Sequence, residues 1–424
     1  MSTTRRSLLL GAAAAASLLP TSARRANAAL PVTAPTEGGD GEAYWEAVRA
    51  QFAFRDERVP MNAANLCPSP RVVAEEVAQL TRDIDVDCSF QNRAKFDALL
   101  EGARENVARQ LGASADEIAL VRNTSEANSL LHNGLSLGAG DRVVIWDQNH
   151  PSNHVAWKVR AQRFGFEVEE IVTPESPSGD DELTDRFVGA LGPRTRVLAL
   201  THVSNVSGVR LPIARIAEAT RARGIWLHVD GAQTWGASDV DLRALGVDSY
   251  SASAHKWFCG PKEVGLLYVR AERWTELWPG VVAPSWGADV DPDPVGARRF
   301  ESLGQRDDAA LAAVGVAAHF HDRLGPARVE QRVLALAARL KLGAVEAGYS
   351  LVTPAKSELS GGVCIVAVPQ AQRQEIYERL YREHGIAGAA TGGVRLCPHV
   401  YNTIEHVERA VAGLRALRPL VGAA

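Results

Sequence analysis

The chain has 424 residues, 46% of them hydrophobic and 23% charged, which is long enough for two domains and a large core. Its formal net charge of -4 excludes the strongly basic surface that is typical of nucleic-acid binding. Five cysteines without a CxxC pair support neither a disulfide framework nor a zinc knuckle.

Residues 1–28 have the pattern of a twin-arginine export signal. Arg5 and Arg6 precede an apolar segment, residues 8–19, that is too short to span a bilayer permanently. Residues 26–28 read Ala-Asn-Ala, a small-x-small cleavage site. We therefore predict export by the Tat machinery to the periplasm or the cell exterior, with no membrane segment in the mature chain. The alternative is a disordered basic tail.

Four segments are predicted along the chain: the signal peptide, a linker with one helix, a large domain and a small domain. The linker and helix take residues 29–60, with the helix predicted at 42–54, and the large domain takes 61–300. A C-terminal helix is predicted at 404–417. From residue 117 strands alternate with helices, which predicts an α/β fold with a mostly parallel, doubly wound sheet. Residues 301–424 are predicted to form a small C-terminal α+β domain.

Two strand-like runs in the large domain end in polar residues suited to one cofactor. Residues 225–229 lead into Asp230, and residues 248–253 lead into Ala254-His255-Lys256. Strands that deliver polar residues at their C-terminal ends mark a ligand crevice in an open α/β sheet. A lysine that forms a Schiff base and a carboxylate that holds a pyridine nitrogen protonated together indicate pyridoxal 5'-phosphate (PLP).

Other strand ends carry residues that suit the rest of the same cofactor. The free N–H groups at the start of a helix beginning at Thr124-Ser125 favour a phosphate, although a plain N-cap is the alternative there. His150 is placed to stack on the pyridine ring, while His150 and His154 also have the i,i+4 spacing of a metal pair. Pro151 lies between them and a third ligand is not evident, so we expect no metal there.

Side chains near the lysine complete the predicted cofactor site. Asn205 and Gln233 can donate to the phenolic oxygen of PLP, and Ser253 and His255 can reach its phosphate. Each of them is alternatively a turn residue at the end of a strand. Lys256 lies in an apolar setting that should lower its pKa and make the amine a better nucleophile.

The chain resembles the class V aminotransferases, fold-type I PLP enzymes with a seven-stranded sheet that include cysteine desulfurases and isopenicillin N epimerase-like proteins. The stretches that carry the resemblance are 201–205 (THVSN), 228–233 (HVDGAQ), 253–256 (SAHK) and 401–403 (YNT). The resemblance implies that Lys256 is the Schiff-base lysine, Asp230 the partner of the pyridine nitrogen and His150 the stacking residue. It further implies phosphate contacts from Thr124, Ser125, Ser253 and His255.

Two more residues take roles from the same resemblance. Arg395 matches the arginine that grips the substrate carboxylate, which a bidentate guanidinium does well. Gln305 stands where the family usually has a small hydroxyl residue, on a loop that reaches the phosphate of the partner subunit, so a homodimer is implied. Desulfurases carry a reactive cysteine shortly before the arginine, whereas residues 386–393 contain none. This favours a protein that is not a cysteine desulfurase.

The resulting hypothesis is an exported PLP enzyme that acts at the Cα of an amino acid or an amino-acid-derived metabolite. Aminotransferase, epimerase and lyase chemistry, with decarboxylation as a further course, all fit the sequence. The layout is also similar to that of exported PLP enzymes that tailor pyoverdine siderophores, which suggests a secreted peptide as substrate. The alternatives are a cytoplasmic class V aminotransferase or C–S lyase, and a non-catalytic exported protein on the same scaffold.

Overall fold

The computed structural model describes residues 41–174, 176–283 and 294–421. The predicted signal peptide, residues 1–28, and most of the predicted linker therefore lie outside the described residues. The helices are α1 Glu42–Arg49, α2 Arg71–Val86, α3 Phe90–Arg93, α4 Lys95–Gln110, α5 Thr124–Gly134, α6 Val155–Phe164, α7 Asp180–Gly189, α8 Ile213–Arg221, α9 Leu242–Leu245, α10 Asp308–Leu324, α11 Pro326–Glu346, α12 Gln370–His384 and α13 Ile404–Leu417.

The strands form one large sheet and two small ones. They are β1 Val59–Pro60, β2 Ile118–Val121, β3 Arg142–Trp146, β4 Glu167–Ile171, β5 Thr195–Thr201, β6 Trp226–Asp230, β7 Ser249–Ser253, β8 Gly265–Val269, β9 Cys364–Val366, β10 Ile386–Ala387 and β11 Val394–Leu396. The seven-stranded sheet has the order β2-β8-β7-β6-β5-β3-β4. Only β8 runs antiparallel to its neighbours in that sheet, so the predicted α/β fold with a mostly parallel sheet is confirmed.

The inner strands of the seven-stranded sheet are buried on both faces, whereas the edge strand β4 is partly exposed. In β5, Leu198 and Leu200 belong to the cluster on one face, while Val197 and Ala199 belong to the cluster on the other. All four side chains are fully or almost fully buried. Because the side chains of a strand alternate between faces, this pattern requires helices on both sides.

Two smaller sheets lie nearer the C-terminus of the chain. Strand β9 pairs with β11 antiparallel, and the very short β1 pairs with β10 in parallel. Helices α11 and α13 contribute Leu336, Leu340, Val407 and Leu414 to a core cluster that also contains Cys364 and Val394. The predicted boundary between a large and a small domain at residue 300 stays a prediction.

Helix α1 ends at Arg49, earlier than the predicted segment of residues 42–54. The reason is tertiary packing: Phe52 forms an isolated β-bridge with Pro70 and packs edge-on against Phe320 and Tyr401. The sequence reading also passed over α7, although Gly179 followed by three acidic residues is a helix-start signal. Within the described part of the chain, no helix combines the length and apolarity needed to cross a membrane.

Candidate active site

The candidate site lies where β5, β6 and β7 end side by side. Thr201, the last residue of β5, pairs with Asp230 of β6, and Asp230 pairs with Ser251 of β7. The turn after β7 then carries His255 and Lys256. The structure therefore brings the predicted carboxylate and the predicted lysine to the same edge of the sheet, as the parallel strand ends require.

Asp230 is a buried carboxylate held by neutral donors. Its side chain is 1% exposed. Oδ2 accepts a hydrogen bond from Asn128 Nδ2 at 3.1 Å, and Oδ1 accepts one from the Ala232 N–H at 3.0 Å. Asp230 forms no ion pair with any residue in the described ranges. A buried carboxylate without a cation is costly, so a protonated pyridine nitrogen would complete this environment.

Asn128 is a site residue that the sequence reading missed. It lies one turn beyond Thr124 on α5 and is fully buried. Its Oδ1 accepts from Ser251 Oγ at 2.6 Å and lies 3.0 Å from His228 Nε2. Since Nδ2 donates to Asp230, Oδ1 must be the acceptor, and His228 must carry its proton on Nε2. Asparagine has a low helix propensity, so its position inside a predicted helix was the one signal of a special role that the sequence offered.

The chain of hydrogen bonds continues behind the histidine. With the proton on Nε2, His228 Nδ1 accepts from Ser249 Oγ at 2.9 Å, and that hydroxyl accepts from Trp226 Nε1 at 2.8 Å. Burial holds the pKa of His228 well below its usual range, so the ring stays neutral. The network therefore fixes Asn128 as a donor to Asp230 and keeps the carboxylate in place.

Lys256 is half-buried at the turn that follows β7. Burial lowers the pKa of its amine, and the positive charge of Arg395 lowers it further, while Asp230 acts in the opposite direction. A lowered pKa increases the fraction of neutral amine at a given pH, and the neutral amine is the nucleophile. The electrostatic interactions also place Asp230, Lys256 and Arg395 in one neighbourhood.

Arg395 comes to this neighbourhood from β11, in a different sheet. Its side chain is 5% exposed. Nη1 donates to the Asn205 carbonyl oxygen at 2.9 Å, and Nη2 donates to Asn62 Oδ1 at 3.1 Å. Nε is buried and finds no hydrogen-bond partner among the described residues. Asn62 is a second residue that the sequence reading missed, since nothing in its loop sequence marks it.

Asp230 and Arg395 are thus two buried ions of opposite sign that both lack an ion-pair partner among the described residues. Each is held in place by neutral hydrogen-bond partners. Buried charges in proteins are ordinarily paired. A cofactor with a protonated ring nitrogen and a substrate with a carboxylate would supply the two missing partners.

The residues predicted to bind the cofactor phosphate lie around the start of α5. Thr124 N donates to Ser253 Oγ at 2.8 Å, and the two hydroxyl groups lie 2.6 Å apart. Asn123 caps the helix by accepting from the Glu126 N–H, and Ser125 is exposed in the first turn. Hydroxyl groups and free N–H groups at a helix N-terminus fit a phosphate.

The amide of Gln233 is oriented by the turn that carries the lysine. Trp257 Nε1 donates to Gln233 Oε1 at 2.8 Å, which fixes which end of the amide carries the oxygen. Gln233 Nε2 donates one of its protons to the Ala64 carbonyl oxygen at 3.0 Å. The second proton of Nε2 is the one suited to a phenolic oxygen. Asn205 is half-buried beside Arg395, which its carbonyl oxygen helps to hold.

His150 and His255 both lie in the electrostatic neighbourhood of Lys256. Burial lowers the pKa of His150, with Lys256 and Arg395 adding to the effect and Asp230 opposing it. His150 Nδ1 lies 2.9 Å from Ser152 Oγ, which also accepts from Asn128, so the ring is tied to the Asp230 network. Burial, together with the lysine charges nearby, lowers the pKa of His255 to about 4. The His255 ring is therefore neutral at neutral pH, and the lowered pKa of His150 favours the neutral form of that ring as well.

Gln305 has contacts of another kind. Its Nε2 donates to the Arg306 carbonyl oxygen at 3.0 Å, and its Oε1 accepts from Arg93 at 3.1 Å. Neither partner is a predicted site residue. A role of this loop at the phosphate of a partner subunit stays a prediction.

A surface cavity of about 420 Å³ is also separate from the site, because it opens near Val247, at the start of β7 rather than its end.

The donor set as a whole fits PLP. A buried carboxylate without a cation, a half-buried lysine of lowered pKa and a hydroxyl-rich helix start correspond to the ring nitrogen, the aldehyde and the phosphate. Arg395 remains for a substrate carboxylate. When bound, PLP supplies an electron-withdrawing ring that weakens the bonds at the substrate Cα.

Comparisons with known proteins agree with this geometry. The Aminotransferase class-V family matches residues 68–416. The chain is 33% identical to isopenicillin N epimerase of Streptomyces clavuligerus over 393 residues, which covers 88% of this chain and 98% of that protein. It is also 31% identical to a cysteine desulfurase of Klebsiella pneumoniae over 356 residues, covering 78% and 85% of the two chains.

Solved structures show the same fold. Apo cysteine desulfurase from Thermococcus onnurineus NA1 superimposes with a TM-score of 0.79 at 24% identity, covering 89% of this chain and 98% of that one. The cystine C–S lyase C-DES, in complex with cysteine persulfide, has a TM-score of 0.77 at 23% identity and covers 85% and 97%. The family, the fold and the donor set agree, and the chain belongs to the class V aminotransferase family of PLP-dependent enzymes.

Proposed function

We propose that this protein is an exported PLP enzyme that removes the proton from the Cα of an amino acid or an amino-acid-derived metabolite. The observation that carries the proposal is the pair of buried, unpaired ions, Asp230 and Arg395, in the electrostatic neighbourhood of Lys256. This arrangement suits a bound cofactor on one side and an amino-acid carboxylate on the other.

The residues of the site have distinct tasks in this proposal. Arg395 holds the substrate carboxylate with its two Nη groups and thereby sets which Cα bond faces the lysine. Lys256 would hold the PLP aldehyde, and its amine would accept the proton from the substrate Cα. Asp230 would keep the ring nitrogen protonated, and His150 would pack against the ring.

The cysteines support an epimerase-, aminotransferase- or lyase-type activity over a desulfurase activity. Burial raises the pKa of Cys364 to about 12 and also raises the pKa of Cys397, and both side chains are fully buried. Cys88, the one exposed cysteine of the described residues, lies just beyond α2. The reactive thiolate of a desulfurase requires an accessible cysteine with a lowered pKa, so Cys364 and Cys397 do not fit that role.

Exchange of the Cα proton tests the proposed reaction directly. The purified chain is incubated in D₂O with a panel of L- and D-amino acids and small peptides, and the Cα signal is followed by NMR. We expect deuterium to enter at Cα of the substrate, with keto acid, inverted amino acid or eliminated product identifying the reaction. Lys256→Ala serves as the control. Release of sulfide with alanine from cysteine as the main reaction would overturn the proposal in favour of a desulfurase.

Export and substrate are tested in the native cell. We propose that the Arg5-Arg6 segment directs the folded protein across the membrane and that a secreted peptide or siderophore is its substrate. The support is the sequence pattern and the need to load a cofactor before export. Fractionation should find the chain outside the cytoplasm, and Arg5→Lys with Arg6→Lys should retain it inside. Deletion of the gene should leave one secreted metabolite unmodified; retention in the cytoplasm of the unaltered protein would favour a cytoplasmic enzyme.

A further inference from the structure

Two buried cysteines and a buried histidine meet directly beneath the lysine turn. One ligand atom from each of Cys67, Cys259 and His399 lies within 4.8 Å of the other two. All three side chains are at most 1% exposed. They come from three separate parts of the chain, the loop after β1, the turn after Lys256 and the segment after β11, so no spacing motif reveals them.

The histidine of this cluster is prepared to act as a ligand. His399 Nε2 donates to the Trp257 carbonyl oxygen at 2.5 Å, which leaves the lone pair on Nδ1. Nδ1 is buried and finds no hydrogen-bond partner among the described residues. Burial lowers the pKa of His399 to about 3, so the ring is neutral. A neutral imidazole oriented by a backbone carbonyl is the usual form of a metal-binding histidine.

The backbone of both cysteines is hydrogen-bonded to the turn around Lys256, and their thiols face the carbonyl oxygens of Ala63 and Trp257. Cys67 N donates to the His255 carbonyl oxygen at 2.8 Å, and Cys259 N donates to the Lys256 carbonyl oxygen at 2.9 Å. Cys259 has φ 51°, a left-handed conformation that a non-glycine residue rarely adopts. The Tyr401 hydroxyl donates to Cys67 Sγ at 3.3 Å, which would stabilise a thiolate.

We propose that Cys67, Cys259 and His399 form a site for a thiophilic divalent cation of the Zn²⁺ type. Ligands of a tetrahedral zinc ion are roughly 3.5–3.8 Å apart, so the three ligand atoms, which lie within 4.8 Å of one another, must move closer together. The fourth position of the tetrahedron would fall to a water molecule. Two thiolates and a neutral imidazole around a divalent cation give a site without net charge, which suits complete burial. On binding, the ion displaces the protons of the two thiols, and its charge is balanced by the sulfur atoms.

The ion would act as a support for the lysine turn, since both cysteines are hydrogen-bonded to the backbone of His255 and Lys256. It would have no part in the reaction at Cα. The competing arrangement is a Cys67–Cys259 disulfide formed by an oxidising thiol–disulfide exchange partner. The orphaned Nδ1 of His399 favours the metal, because a disulfide would leave that nitrogen without a partner.

The test combines metal content with a thiol count on the purified holoenzyme. The protein is dialysed against Zn²⁺ and then against a weak chelator, and zinc is measured by elemental analysis. We expect about one Zn²⁺ per chain in the unaltered protein, and at least a tenfold lower content in Cys67→Ser, Cys259→Ser and His399→Gln. Cys88→Ser, which changes the exposed cysteine, is the matched control and should retain the ion.

Two further measurements keep the result interpretable if a variant folds poorly. Zn²⁺ should raise the thermal midpoint of the unaltered protein and slow the loss of its PLP absorbance on dilution. After denaturation in chelator without reductant, all five cysteines should react as free thiols. Two missing thiols would show the disulfide and overturn the proposal. Five free thiols with no bound zinc would overturn it as well, and would leave the three residues as core packing.

Discussion

Two clusters of buried charge in this protein are organised in opposite ways. In the first, Arg104 is 2% exposed and makes a bidentate ion pair with Glu301, with Nη1–Oε2 2.9 Å and Nη2–Oε1 2.7 Å. In the second, Asp230 and Arg395 are buried as deeply but are held by amides and carbonyl groups instead of opposite charges. Complete pairing indicates a structural role, whereas unpaired burial indicates a place for a ligand.

Among substitutions near Asp230 and Arg395, replacement of Lys256 should cause the largest loss of activity. Lys256→Ala should abolish Cα-proton exchange, because a general base alone contributes about 10²–10⁴-fold and this residue also forms the Schiff base. The visible absorbance of bound PLP and its fixation by borohydride should be lost together. An alanine variant that keeps more than about one tenth of the activity would contradict the assignment of Lys256.

Matched carboxylate-to-amide substitutions test the difference between the paired and the unpaired buried charges most directly. Asp230→Asn should lower activity by about 10²–10³-fold, while the stability of the PLP-free chain changes by less than about 1 kcal/mol, because no ion pair is lost. Glu301→Gln should cost about 1.5–3 kcal/mol of stability, because Arg104 loses its bidentate partner and keeps only the partly exposed Glu101, at 3.2 Å, as a counter-ion. Urea unfolding and NMR exchange rates measure both effects. Equal losses of stability in the two variants would refute the distinction between the clusters.

Arg395→Lys should act on the substrate rather than on the cofactor. A lysine keeps the charge but cannot form two parallel bonds to a carboxylate. Loss of one charge-assisted hydrogen bond, about 1.5–3 kcal/mol, should raise KM by roughly 10–100-fold with the PLP spectrum unchanged. Steady-state kinetics and absorbance spectra measure this. A changed spectrum with an unaltered KM would assign the arginine to the cofactor instead.

The smallest predicted effect is on the pH dependence of stability, and it comes from His321, a buried histidine away from the site. Burial lowers the pKa of His321 to about 4, against about 6.5 for an unfolded chain. The unfolded state therefore binds more protons in this range, and stability falls as the pH drops from about 6.5 towards 4, at about 1.4 kcal/mol per pH unit for this residue. His321→Gln should reduce that slope in urea unfolding between pH 7 and 5. An unchanged slope would show that the ring is not protonated on unfolding.

The sequence predicted those parts of the site that lie at strand ends. Asp230 and Lys256 follow strand-like runs, so the positions of both could be inferred from the rule that parallel strand ends share an edge. Asn128 and Asn62 were missed because their roles depend on contacts across the fold, to Asp230 and to Arg395. No local pattern encodes such contacts.

Helix boundaries show the same limit. Helix α13, Ile404–Leu417, begins and ends where its apolar spacing predicts, and Thr403 caps it. Helix α1 ends before its predicted boundary, because Phe52 packs against Tyr401, which comes from the other end of the chain. Local signals determine an element until a distant residue competes for one of its side chains.

The placement of Arg395 has a consequence for how such a protein can diversify. Asp230 ends β6 and Lys256 follows β7, both strands of the seven-stranded sheet, whereas Arg395 lies in β11, which pairs with β9 in a separate two-stranded sheet. The proposed substrate-binding arginine and the proposed cofactor-binding residues therefore lie at different sheets and in distant parts of the chain. Substitutions in the last part of the chain can alter which molecule is accepted while the inherited chemistry is left intact.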